Sequence, residues 1–302
     1  LPFSIDDEAE MPEAGCKASE SKILVHRRAL SFELNARQIS LDDTYQIYIN
    51  RVARLTLPEV FQSQVQHIQP SPKFVRQADG RIQPASFPGY TIVSPPWEDD
   101  PHNYSFYEAL SAYQRQTVAT LEPGLLIPVP PESFHFTLAD LIWASAFVHA
   151  TEDPAFEQQL HDRVAQSFEK CRFLIQAQQP LRWQIMGLFL RTRALGVCLA
   201  PRDEDSYKRV IELRRTIYQN PNLIALGIEQ QYNFTAHITL GYFGEVAATT
   251  DRDRLAQQLI ALNQHWYDID APQEIGVRRA DLRKFDDMTR YYRQPDWTTL
   301  EF

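Results

Sequence analysis

Phe134-His135-Phe136-Thr137-Leu138 and Ala236-His237-Ile238-Thr239-Leu240 decide how this chain is read. Each runs apolar, His, apolar, Thr, apolar. In an extended strand, side chains at i and i+2 share a face. Each stretch therefore sets an imidazole beside a hydroxyl and turns its apolar residues the other way. Two such strands brought together line a cleft with two His and two Thr.

The bare pattern is weak evidence. Among 8 His, about one match to His-x-Ser/Thr is expected by chance. His149-Ala150-Thr151 is such a match, but Glu152, Asp153 and Pro154 follow it and mark a helix start or loop. The other two gain weight from placement. A helix over about 103–121 precedes the first, a helix over about 155–178 follows, and strands at about 182–190 and 194–199 come next. A helix over about 203–219, the second His-x-Thr strand at about 234–243, a helix over about 251–266 and strands at about 273–285 and 289–293 repeat that order. The first helices start 100 residues apart, the histidines lie 102 apart, and the later elements are offset by 96 and 91. The repeat is one of pattern, with little identity of letters.

Outside the repeat, Leu1 to about Lys22 is an acidic, loose lead. Leu41, Tyr45, Tyr48 and Val52 fall at helical spacing, with Ser40 or Asp42 as the cap, and a short helix is expected over Pro58–Gln66. Residues 23–72 read as a helical extension without a motif, packed outside the main body and narrowing one end of the cleft. Tyr90–Ser94 reads as a strand. The net charge of −9 disfavours a grip on long nucleic acid, although a local basic pocket can still hold a small nucleotide. No apolar run reaches the roughly 18 residues of a membrane span, and the acidic start does not resemble a secretory signal. Cys16, Cys171 and Cys198 lie far apart, which fits a reducing cytoplasm better than a disulfide framework.

The paired His-x-Thr strands, each inside a duplicated α/β lobe, resemble the 2H phosphoesterase superfamily, which includes bacterial RNA ligase/cyclic phosphodiesterase proteins. Asp79-Gly80-Arg81, the run Phe87-Pro88-Gly89-Tyr90-Thr91-Ile92-Val93, and Phe285-Asp286-Asp287-Met288-Thr289 look like an uncharacterised bacterial branch of it. The likeness covers about residues 73–295. It implies an α+β fold of two pseudo-symmetric lobes, with antiparallel-rich sheets flanked by outer helices. The expected division is an extension over 1–72 and a bilobal domain over 73–302, with lobes at about 90–200 and 201–302 and strands open to exchange between them.

Two imidazoles facing each other across a phosphodiester suit general acid–base catalysis. One takes a proton from water and the other gives one to the departing oxygen. The hydroxyls of Thr137 and Thr239 are placed to donate to the non-bridging oxygens. This chemistry requires neither metal nor cofactor. What the resemblance adds is the substrate class: a 2′,3′-cyclic phosphate or a 2′–5′ linkage on a small nucleotide or RNA end, with His135, Thr137, His237 and Thr239 at the catalytic positions. A binding module that holds such a ligand uncleaved, and a phosphoesterase for a non-nucleotide substrate, are the alternatives.

A zinc site needs a third ligand, and no His-x-His or His-x-x-x-His spacing occurs. Asp140 falls on the face opposite His135 if the strand is regular. Tyr242 either stacks on a base or fills the rim. Trp97, in a Pro-rich loop, is a candidate lid. Arg191 and Arg193, at a hairpin turn, are candidate phosphate contacts. Tyr291 and Tyr292 with Arg290 and Arg293 form an aromatic-basic patch, and His161 falls on the solvent side of its helix.

Overall fold

A computed structural model describes residues 42–174, 179–268 and 270–302; the acidic lead, Ser40 and the end of the helix expected to reach 178 lie outside them. In chain order the elements begin with helices α1 (Tyr45–Leu55) and α2 (Pro58–Gln64) and a small hairpin, β1 (Phe74–Arg76) and β2 (Ile82–Pro84). Then come β3 (Gly89–Val93), α3 (Tyr104–Thr120), β4 (Leu126–Pro128), β5 (Thr137–Trp143), α4 (Ala144–Ala150) and α5 (Phe156–Leu174). The hairpin β6 (Leu181–Leu190) and β7 (Ala194–Pro201) leads to α6 (Glu204–Tyr218), α7 (Pro221–Ile224), β8 (His237–Phe243) and α8 (Arg252–Asp268). β9 (Glu274–Val277), β10 (Arg279–Phe285) and β11 (Thr299–Glu301) follow.

The fold is α+β, with two main antiparallel sheets. One has the order β11-β10-β3-β5 and the other β4-β8-β7-β6-β9. The sheets do not follow the halves of the sequence. The hairpin β6–β7 comes after the first His strand but pairs with the second, β8. The single strand expected over 273–285 is broken at Arg278. Its first part pairs with β6 and its second with β3, so the chain steps from one sheet to the other. The strand expected over 289–293 is a lone bridge between Lys284 and Tyr292. Asp287 accounts for this: its carboxylate accepts from both the amide and the hydroxyl of Thr289, so the backbone closes a turn instead of a ladder. β11 takes the edge position next to β10.

Helices α3 and α8 pack on the five-stranded sheet, α5 packs on the four-stranded one, and α6 lies between them, against β6 and β7 as well as β5. Residues 45–68 are not an outer layer. Tyr48, Val52, Phe61 and Val65 are fully buried in the common core, where their burial drives the extension onto the body. The N-cap of α1 is Thr44, whose hydroxyl accepts from Ile47 N, while Asp42 is buried in an ion pair with Arg214.

Candidate active site

The two histidines are presented by the same local device. His135 Nδ1 lies 2.7 Å from Ser133 O, and His237 Nδ1 lies 2.8 Å from Thr235 O. A carbonyl only accepts, so each Nδ1 carries the proton and each Nε2 keeps its lone pair. β5 and β8 begin at Thr137 and His237, a little later than expected, but the backbone before them is already tied. Ser94 N donates to Phe136 O at 2.8 Å, and Leu199 N to Ala236 O at 2.8 Å.

The alternation of a regular strand fails directly after each motif. On β5, Thr137 faces Val93 and Ala139 faces Ile92, which leaves Leu138 unpaired; Leu141 is skipped in the same way. On β8, Thr239 faces Gly196 and Gly241 faces Leu195, which leaves Leu240 unpaired. The leucine that ends each motif is thus a bulge residue. The bulge resets the pleat, so the residue three after each Thr returns to the cleft. Asp140 and Tyr242 occupy these matching slots and line the cavity. The expectation that Asp140 faces away from His135 is therefore overturned, because the strand is not regular. Gly196 is required opposite the second motif, since a Cβ there would stand 2.4 Å from Ile238 O.

At each bulge a buried helix side chain donates to the carbonyl of the leucine. Arg214 Nη1 on α6 donates to Leu138 O at 2.9 Å. Gln114 Nε2 on α3 donates to Leu240 O at 2.7 Å and to Val129 O at 2.8 Å. These helix residues are 100 positions apart, matching the offset between the helix starts. Both are polar residues on an apolar helix face, which is a signal present in the sequence and easily passed over. Arg214 pairs with Asp42 at 3.3 Å, with both side chains 3% exposed.

His135, Thr137, His237, Thr239 and Tyr242 all line one cavity of about 100 Å³. A water needs roughly 10–15 Å³ by this kind of measure, so the space suits a phosphate-sized group with solvent. Lys73 and Arg191 add positive charge to the wall, and Asp140 a carboxyl. Lys73 Nζ stands 5.0 Å from the Tyr242 ring centroid; sequence reading passed over this residue, a single cation in a Pro-rich link. Of the turn arginines, Arg191 reaches the cavity and Arg193 does not. The turn is closed by Arg191 N donating to Ala194 O, and Arg193 extends the other way to Gln69 Oε1 at 3.3 Å. Trp97 is not a lid. It stacks on Tyr107 and donates its backbone N–H to Phe134 O, so it backs the His135 strand from behind. Tyr291 lines the cavity with its ring centroid 4.1 Å from that of His135, whereas Tyr292 turns out to Asp286. His161 is not on the solvent side; its ring packs on Tyr90 and Trp297.

Burial lowers the pKa of both cleft histidines. His135 falls to about 4, with Arg283 adding to the effect of burial. His237 falls to about 3, through burial first and then the charges of Arg191, His135 and Lys73. Burial raises the pKa of Asp140, against the opposing pull of Arg214, Arg191 and Lys73. Near neutral pH the free protein therefore holds two neutral imidazoles in the cleft, both with Nε2 open. Among the described residues no three His, Cys, Asp or Glu side chains come together as metal ligands.

No family model and no curated protein matches the sequence. Solved structures do. The protein ATU0111 of Agrobacterium tumefaciens, a conserved protein of unknown function, aligns with a TM-score of 0.52 at 17% identity, over 78% of this chain and 96% of that one. This chain shares its fold. Escherichia coli LigT complexed with 3′-AMP aligns at 18% identity with a TM-score of 0.36, over 71% of this chain and 96% of that one. TT0787 of Thermus thermophilus aligns at 17% with a TM-score of 0.38, over 70% and 94%. Among the described residues, no helix is long and apolar enough to cross a membrane.

Proposed function

We propose that this chain is a 2H-type phosphoesterase that hydrolyses a phosphodiester without a metal, using His135 and His237 as the acid–base pair. One observation carries this reading: two imidazoles, each with Nδ1 tied to the carbonyl two residues back, share a cavity with two hydroxyls at i+2. In the free protein neither imidazole holds a proton on Nε2. A phosphodiester anion reverses the balance, because a negative charge alongside favours the imidazolium. The substrate thus brings in the proton that the leaving oxygen later takes, while the other Nε2 stays free to deprotonate water. Thr137 and Thr239 hold the non-bridging oxygens where charge grows, and Arg191 and Lys73 attract the anion. The substrate proposed is a 2′,3′-cyclic or 2′–5′ phosphodiester of a small nucleotide or RNA end.

The test is turnover of a 2′,3′-cyclic nucleotide in EDTA. Each of His135→Asn and His237→Asn lowers kcat by about 10²–10⁴-fold with the fold retained by circular dichroism. Full activity in either variant, or loss of activity in EDTA restored by a divalent ion, overturns the reading.

A further inference from the structure

We propose that Arg51, assisted by Tyr48, is a positioning residue for His237, and that helix α1 thereby sets the tautomer of one of the two cleft imidazoles. The proposal rests on His237 being an acid–base group. Three consecutive residues before it are held from α1. Arg51 Nη2 donates to Phe234 O, and Arg51 Nη1 donates to Thr235 Oγ1 at 2.7 Å. Ala236 N donates to Tyr48 Oη at 3.0 Å, and that hydroxyl donates to Leu199 O at 2.9 Å on the neighbouring strand. Arg51 Nε closes the fork on Asp43 Oδ2 at 2.7 Å. Tyr48 and Arg51 are one helical turn apart and so share a face, with the guanidinium 5.4 Å from the phenol ring centroid.

The bonds to Phe234 O, Thr235 Oγ1 and Ala236 N act on the peptides that fix Thr235 O, the acceptor of His237 Nδ1–H at 2.8 Å. If the clamp is released, those peptides are free to rotate and the Nδ1 proton loses its partner. The imidazole then samples the tautomer with its proton on Nε2, which removes the lone pair facing the cleft. A lysine at position 51 cannot replace the fork, since one ammonium on a flexible stem does not reproduce the planar guanidinium that meets Asp43, Thr235 and Phe234 together. The His135 arm needs no such help. Ser133 N donates to Pro130 O at 2.9 Å, Ser133 Oγ to the same oxygen at 2.7 Å, and Phe134 N to Pro131 O at 2.9 Å, so the turn under His135 is closed locally.

The experiment records imidazole ¹⁵N signals of the free, full chain near pH 7, where both histidines are neutral, for the parent and for Arg51→Ala, Arg51→Lys and Thr235→Val. In the parent both cleft imidazoles show Nδ1–H. In Arg51→Ala and Arg51→Lys the His237 signals shift towards a mixture of tautomers while those of His135 stay in place; Thr235→Val, which keeps the helix and removes one acceptor, gives a smaller shift of the same kind. Hydrolysis of a 2′,3′-cyclic nucleotide, read in parallel, loses about 10-fold in kcat with KM little changed in Arg51→Lys. Unaltered His237 signals in folded Arg51→Lys and Thr235→Val overturn the positioning role. Because the tautomer is read without substrate, an inactive parent chain would refute the proposed reaction and leave this test standing.

Discussion

Beneath His135, the carbonyl that holds Nδ1 belongs to a turn closed within residues 130–134; beneath His237, the residue that bears the equivalent carbonyl is held through its hydroxyl by Arg51, 184 residues away in sequence. Past the histidines the contrast takes another form. The bulge carbonyl of Leu138 is satisfied by a charged Arg214 that needs Asp42 as its counter-ion, and that of Leu240 by a neutral Gln114. The two arms share one backbone geometry and reach it through different partners. What the duplicated framework preserves is the shape of the presenting strand. The supports differ, and residues 42–51 serve both arms: Asp42 through Arg214, Tyr48 and Arg51 through the segment before His237.

Breaking the supports one at a time shows how unequal they are. Arg214→Ala takes the counter-charge from the buried Asp42, which retains only neutral hydrogen bonding such as that from Gln230 Nε2 at 2.8 Å, removes the guanidinium donor from Leu138 O, and costs about 3–5 kcal/mol in denaturant unfolding. Asp42→Asn made on top of Arg214→Ala recovers part of that loss. Gln114→Ala costs about 1–3 kcal/mol, towards the low end because Val129 N still donates to Leu240 O. Equal costs for the two would mean that the charge on Arg214 adds nothing to the support of its arm.

The matching slots Asp140 and Tyr242 sharpen the comparison chemically. Asp140→Asn removes a like charge from an anion site and tightens inorganic phosphate several-fold at pH 8 in calorimetry. Tyr242→Phe leaves that affinity unchanged. Weaker phosphate binding in Asp140→Asn would place the carboxyl as a partner of the ligand's hydroxyls instead.

A further difference is expected in acid. Both histidines have folded pKa values below the unfolded value of about 6.5, so the unfolded chain binds more protons and stability falls as pH drops from there. The loss ends near pH 4 for His135 and near pH 3 for His237. Each contributes a slope of up to about 1.4 kcal/mol per pH unit. Replacing either with Asn removes one proton from that slope, and the advantage of the His237 variant over the parent goes on growing for about one pH unit further into acid before it levels off.

Much of this was legible in the sequence. The order of helix, His-x-Thr strand and helix, repeated near an offset of 100, located both motifs and the helices behind them. It rightly set aside His149, which ends α4 with its side chain 84% exposed. Strict strand alternation hides the bulges. Yet Thr137, Asp140 and Trp143 recur every third residue, with the apolar pairs Leu138-Ala139 and Leu141-Ile142 between them, and that is the signature of a twice-bulged strand. The break at Arg278 had no such signature, because neither Gly nor Pro marks it. Sheet membership there is decided by partners distant in sequence. Arg51 and Lys73 were invisible for the same reason: an isolated cation has no period, and only the folded chain shows what it meets. For Trp97 and Arg193, residue type and loop position say nothing about direction.

The exchange of strands between the sheets bears on how the protein is made. β3 and β5 have both been synthesised by residue 143, but β10, which pairs with β3, is not available until residue 285. Such long-range pairing is slow and leaves strand edges exposed in the meantime. A nascent chain stalled at residue 270 would carry both histidines and all four motif side chains, yet the sheet behind the first would lack β10 and β11. During translation the reactive cleft is therefore assembled late, well after its last reactive residue has left the ribosome.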